Sequence, residues 1–188
     1  MKTFFLLASV LLPGINIAIA GTPSAREMNL SITLLQRVFP LADVTRVIAH
    51  SFSAEEKNLI TYALGSFRLN DSVLVIASSK QDTLLGFGVV DHVRGKDQPI
   101  TYCVVVDPNL HVVTTEILVY RESYGGEVQR RSWLDQFIGK SPDDQLRPGR
   151  EIKNITGATI SARAVTLGVR QVLTTLRIVV PRLLQELQ

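Results

Sequence analysis

The chain has 188 residues, 46% of them hydrophobic, which gives room and apolar content for one ordinary globular domain with a real core. Its 20 basic and 17 acidic residues leave a formal charge of +3. That charge is spread along the whole chain, with no basic run that could track a phosphate backbone, so nucleic-acid binding is not expected. Cys103 is the single cysteine, which excludes an intrachain disulfide and the paired spacings that hold zinc, iron–sulfur clusters or c-type haem, so any redox chemistry needs an organic cofactor and no metal site is expected.

At the amino terminus, Lys2 precedes the uncharged stretch Thr3 to Ala20, which closes on Ala18-Ile19-Ala20. Small residues at Ala18 and Ala20 ahead of the polar Gly21-Thr22-Pro23 predict a secretory signal cut after Ala20. A retained membrane anchor is the rival reading, because the stretch approaches the roughly 20 apolar residues that span a bilayer. Pro13-Gly14 and Asn16 interrupt it. No later segment is expected to span a membrane. The expected organisation is a signal peptide over residues 1–20 and a single domain over 21–188, located in the periplasm or otherwise exported.

After a polar lead from Gly21 to Asn29, Ile32, Leu35 and Phe39 recur near helical spacing until Pro40, which predicts a short helix. A second helix is predicted from Ala54 through Ala63, with Ser53 as its cap, Glu55 and Glu56 in the first turn and Gly65 as its stop. Four β-branched and apolar runs follow, Val73 to Ile76, Leu84 to Val90, Ile100 to Val106 and Val112 to Tyr120. The connections Ser79-Lys80-Gln81-Asp82 and Asp107-Pro108-Asn109 are short and turn-rich, so neighbouring strands should pair antiparallel. Gly86 and Gly88 inside one run suggest a bulge or a close backbone contact, and Val93 to Pro99 reads as a polar loop. Val165, Val169, Val172, Leu176, Val179 and Leu183 mark one buried face of a long last helix, which Pro181 is expected to kink or end. Arg163, Arg170 and Arg177 lie on a different stripe and read as a solvated face.

The segment Thr156-Gly157-Ala158-Thr159-Ile160-Ser161 immediately precedes that helix. A helix amino terminus offers free N–H groups and the positive end of its dipole, and Gly157 and Ala158 leave the backbone open to a phosphate. On these six residues alone, Thr159 or Ser161 as an ordinary helix cap is the simpler reading.

The wider pattern adds a second meaning. Thr156-Gly157-Ala158-Thr159 followed by Ser161-Ala162-Arg163-Ala164-Val165 resembles the Ser/Thr-Gly-Ala-Thr flavinylation motif of the FMN-binding domain family. That family includes the flavin-bearing subunits of sodium-translocating quinone reductases and their ferredoxin-linked relatives, and the periplasmic domain of nitrous-oxide reductase regulators. Tyr120 to Glu127 resembles the family's Glu-containing, Gly-containing loop, Trp133 to Lys140 its aromatic Gln-Phe-x-Gly-Lys segment, and Phe39 to Asp43 the end of its first helix.

The resemblance implies an α+β fold, a twisted antiparallel sheet with helices packed on it. It also implies FMN as the cofactor, attached through a phosphoester to the Thr159 hydroxyl by a separate FAD-dependent flavin transferase that works outside the cytoplasm with magnesium. By the same match Thr156, Gly157, Ala158 and Ser161 surround the phosphate, and Glu122, Tyr124, Gly125, Gln136 and Lys140 are candidates for the rest of the site. Each has a plainer alternative: Glu122 and Lys140 as surface charges, Gly125-Gly126 as a turn, Trp133 and Phe137 as core. Lys153 stands where the family has Asp, three residues before the first hydroxyl of the motif. The expected function is electron transfer between a membrane-bound donor and an extracytoplasmic acceptor. A flavin-dependent reductase of a small substrate and a flavin-free regulatory module are the alternatives. His50, His92 and His111 form no recognisable acid–base cluster in the sequence.

Overall fold

A computed structural model describes residues 23–65 and 69–186. Residues 1–20, over which a signal peptide is expected, lie outside the described residues. The chain runs α1 (Ala25–Val38), β1 (Val44–Ser51), α2 (Ala54–Leu64), β2 (Ser72–Lys80), β3 (Thr83–Arg94), β4 (Pro99–Val106), β5 (Val112–Tyr120), the short α3 (Arg131–Leu134) and the 28-residue α4 (Thr159–Glu186). The five strands form one open sheet in the order β1-β2-β3-β4-β5, every neighbour antiparallel. The result is the expected α+β fold.

Alternation along the strands sends side chains into two cores, one on each face of the sheet. On β4, Tyr102, Val104 and Val106 join the larger cluster with Val165, Val169, Val172, Leu176, Val179 and Leu183 of α4. Cys103 and Val105 point the other way, to Leu34 and Leu35 of α1. The sheet is therefore sandwiched between α1 on one side and α4 with α2 on the other, and β4 is buried from Ile100 to Val106. Burial pushes the Cys103 thiol up to about 12, which makes it an inert core group.

Local signals explain the boundaries. The Ser53 hydroxyl accepts from the Glu56 N–H and the Glu56 carboxylate accepts from the Ser53 N–H, a complete capping box that starts α2 where expected. The same device, Ser24 with Glu27, starts α1 at Ala25, inside the stretch expected to be a polar lead. β1 is a strand that no local pattern in the sequence predicts. It is an edge strand, mostly half-buried or exposed, with Arg46 and His50 interrupting its apolar character, and pairing with β2 over eight residues holds it in place. β3 likewise extends to Arg94, into the expected loop, because Arg94 pairs with Pro99 across a tight turn.

Gly86 and Gly88 do both things expected of them. The β2–β3 register shifts at Ser78/Ser79, opposite Gly86. A Cβ on Gly86 would lie 2.3 Å from the Val106 carbonyl oxygen and 2.5 Å from Cζ of Phe39, and one on Gly88 would lie 2.4 Å from Cδ1 of Leu35. Their bareness lets α1 lie down on the sheet. Gly86→Ala should therefore cost about 1–3 kcal/mol, since the backbone oxygen cannot step aside. Urea denaturation checks this, and an unchanged midpoint would show that the strands spread freely.

Two expectations about α4 need correction. The helix passes through Pro181 and continues to Glu186. Proline removes one backbone hydrogen bond, but Val179, Val180 and Leu183 around it are buried and the helix does not end there. By length and composition alone, residues 159–185 also qualify as a membrane span, with a mean hydropathy of 1.2 over an 18-residue stretch, although 56% of that stretch is buried inside the fold. Its apolar stripe is the floor of the larger core. Of the arginine stripe, Arg163 and Arg177 are exposed; Arg177 pairs with Asp143, and Arg170 donates to the Ala63 carbonyl at 3.4 Å.

Candidate cofactor site

The site is built where the end of β5, the loop after it and the start of α4 meet. Ile152, fully buried, and Ile155, partly buried, anchor the approach to α4 in the larger core. Beyond them Thr156 and Gly157 turn outward and are exposed, and the Ala158 N–H closes the turn on the Ile155 carbonyl at 3.0 Å. Gly157 has a left-handed backbone (φ +84°), which glycine adopts without strain, and nothing lies within 4 Å of where a Cβ would stand. Ala158 is buried, so the turn is pinned on one side and open on the other.

Thr159 is the first residue of α4 and is exposed. Its hydroxyl makes a single long bond, 3.4 Å to the Ile155 carbonyl. No loop or turn carbonyl among the described residues accepts from the N–H of Gly157, Thr159, Ile160 or Ser161. Unpaired N–H groups at the positive end of a 28-residue helix make an anion-binding terminus.

Ser161 faces inward and is buried, with its Oγ 3.0 Å from the Tyr120 hydroxyl. Tyr120 donates its proton to the Tyr124 carbonyl at 2.6 Å, so Ser161 is the donor to Tyr120. This chain of bonds ties the loop after β5 to the first turn of α4. Gly125, again left-handed (φ +84°), fits into the junction: a Cβ there would stand 2.8 Å from the Tyr120 hydroxyl, 3.2 Å from Ser161 Oγ and 3.5 Å from the Ala158 Cα. The Tyr124 ring is 86% exposed and Ile160 is 53% exposed, which leaves an aromatic and an aliphatic side chain bare beside the terminus.

The structure thus brings Thr156, Gly157, Ala158, Thr159, Ser161, Tyr124 and Gly125 together. The hydrogen bonds of the other three candidates run elsewhere. Glu122 accepts from the N–H groups of Asp97 (2.8 Å) and Gln98 (3.1 Å), closing the β3–β4 loop. The bonds from Gln98 and Asp97 hold its carboxyl below the usual carboxylate range. Lys140 reaches Asp144 at 3.4 Å, and its carbonyl accepts from Val112. Gln136 bonds to the backbone of Lys153, on the approach to the motif. Trp133 and Phe137 are buried, their rings edge-to-face at 5.3 Å. Sequence reasoning missed Tyr120 as the bridge, because nothing local relates the end of β5 to a hydroxyl 41 residues away.

An antiparallel sheet seating a long helix with an open, hydroxyl-bearing amino terminus defines an α+β protein whose helix terminus could accept a phosphate. Residues 95–174 match the family model of the FMN-binding domain. That span, less than half of the chain, is similar to an FMN-binding domain, and the match indicates FMN as the cofactor. No curated protein matches the chain. The matched span covers β4, β5, the loop after β5, α3 and the first half of α4, and so every residue of the site described above. The residues fit the group: the unpaired N–H groups and open Gly157 suit a phosphate, and the bare Tyr124 and Ile160 suit a flat ring beside it.

Proposed function

We propose that this is an exported electron-transfer flavoprotein that carries FMN on Thr159. The carrying observation is that Thr159 alone in the motif combines an exposed hydroxyl with a place on the first turn of α4. Ser161 is buried and bonded to Tyr120, and Thr156 lies in the turn ahead of the helix. Attachment is a displacement at phosphorus. The Thr159 oxygen bonds to the flavin-side phosphorus of FAD, the pyrophosphate bond to the other half breaks, AMP leaves, and the hydroxyl proton passes to a base of the flavin transferase. No electrons change hands in that step. The free N–H groups at the helix start would hold the phosphoester and stabilise its remaining charge.

Residues 1–20 direct export with cleavage after Ala20, which puts the acceptor threonine in the compartment of the transferase. When bound, FMN accepts two electrons and releases them singly, which suits a bridge between unlike partners. The chain supports a carrier better than a reductase of small molecules. Its buried or half-buried histidine–carboxylate pairs are His50–Glu56, packed at α2, and His92–Glu27, on the α1 side of the sheet. Neither includes a residue of the α4 first turn, so among the described residues these pairs do not supply an acid–base pair to that turn. The partners are a membrane-bound donor and an extracytoplasmic protein acceptor.

Anaerobic mixing tests this reading. Reduced protein should reoxidise faster with extracytoplasmic cytochromes than with small oxidants, and the rate should fall with salt where charge steers the encounter. Saturable reoxidation by one small substrate, far faster than by any protein, would make the protein a reductase.

A further inference from the structure

Both backbone polar groups of Lys153 are held by side chains from a distant part of the chain. The Lys153 N–H donates to Oε1 of Gln136 at 2.8 Å, and its carbonyl accepts from the indole N–H of Trp133 at 2.7 Å. The Gln136 amide closes the triangle by donating Nε2 to the Trp133 carbonyl at 3.2 Å. Each end of that amide therefore has one role only, since Oε1 meets a donor and Nε2 an acceptor. The support is rigid. Trp133 and Phe137 are buried and packed edge-to-face. The Lys153 side chain, by contrast, is exposed.

Downstream of this clamp Ile155 and Ala158 hold the segment by packing, and it has few hydrogen bonds of its own before the helix begins. Asn154, Thr156 and Gly157 are exposed, and the one backbone bond within the turn is Ala158 to Ile155. Without the clamp, the chain ahead of the turn would lose two hydrogen bonds, and Gly157, the residue with the widest backbone freedom, would sit in a loosened loop.

We propose that Gln136 and Trp133 are positioning residues for cofactor attachment: by gripping the backbone of Lys153 they hold Thr156 to Thr159 in the conformation that presents the Thr159 hydroxyl and the helix N–H groups to one phosphate. Neither side chain touches flavin in this role. The proposal rests on Thr159 being the attachment point. It gives Gln136 a task through the backbone, whereas the family resemblance suggested direct contact with the cofactor.

The test uses the mature chain, purified flavin transferase, FAD and magnesium, with Gln136→Met, which keeps bulk and removes both bonds of the amide, and Trp133→Phe, which removes the indole N–H bond along with one ring of a buried side chain. Each removes one bond to the Lys153 backbone and should lower the maximal rate of flavin attachment about tenfold, as expected for one such bond of ordinary strength, with the KM for the chain unchanged. Amide hydrogen exchange on the unmodified proteins supplies the second readout. Lys153 and Ala158 should lose protection in Gln136→Met while amides within α4 keep theirs. Wild-type attachment rates in a variant whose Lys153 amide has become exposed would overturn the proposal, as would a Lys153 amide that stays protected without Gln136. A wild-type chain that takes no flavin would refute attachment at Thr159 itself, and the exchange data, which need no flavin, would then decide the clamp alone.

Discussion

Glu27→Gln should destabilise the protein by about 3 kcal/mol at neutral pH and by almost nothing near pH 2. Glu27 is buried at the start of α1, where its carboxylate accepts from the Ser24 N–H (2.8 Å), the Ser24 and Thr101 hydroxyls (2.9 and 2.8 Å) and Arg121 (3.1 Å), with His92 Nε2 at 3.3 Å. Burial alone would raise its pKa. The Ser24 N–H, then the Thr101 hydroxyl, then Ser24 and Arg121 outweigh burial and bring the carboxyl from 4.5 down to about 2. A depressed folded-state value means that the ionised form stabilises the fold. That contribution is complete above the unfolded value near 4.5 and disappears as pH falls through about 2. At about 1.4 kcal/mol per unit the shift corresponds to the loss stated, a large share of a typical domain's stability. Urea denaturation of both proteins at neutral pH and near pH 2 checks it. An equal gap at the two pH values would mean that shape, and not charge, is what Glu27 contributes.

Thr159→Val should abolish covalent flavin while leaving the fold intact. Valine matches threonine in shape and lacks the nucleophilic oxygen. The one bond lost is the long contact to Ile155 at the exposed start of α4, so stability should move by no more than about 0.5 kcal/mol. After coexpression with the transferase, the fluorescent band on a denaturing gel should vanish in Thr159→Val and persist in Thr156→Val. A band of wild-type strength in Thr159→Val, or its loss in Thr156→Val alone, would place attachment on another hydroxyl. The free helix terminus remains in Thr159→Val, so weak reversible FMN binding should survive.

Legibility in the sequence followed the range of the signal. Ser53, Glu56 and Gly65 bracket α2 within a few residues of each other's reach, and its start was readable to the residue. Val112 to Tyr120 was readable as β5, because β-branched runs between turn residues are local. The buried stripe of α4 was readable from its period. β1 was not, since an edge strand needs little apolar pattern of its own and takes its form from pairing with β2. The early start of α1 was legible in principle, as Ser24-x-x-Glu27 is a capping box, but the polar residues around it masked the signal.

The same division holds in the site. The open helix terminus at Thr159 follows from neighbouring residues, and hydroxyl and glycine chemistry points to it directly. The junction of Tyr120, Gly125 and Ser161 joins residues that only the packing of α4 on the sheet brings together. Gln136 and Trp133 reach back to Lys153 over 17 and 20 residues, and no periodicity encodes such a contact. Lys153 departs from the family's Asp in its side chain, which is exposed, whereas the gripped part is its backbone.

Intact-mass and peptide mass spectrometry of the exported wild-type chain, made with a flavin transferase, tests the central claim most directly. The account predicts a chain beginning at Gly21, heavier by FMN less one water, with the addition confined to Thr159 in the peptide that carries Thr156 to Ser161. An unmodified mass, or the flavin found on any other residue, would contradict it.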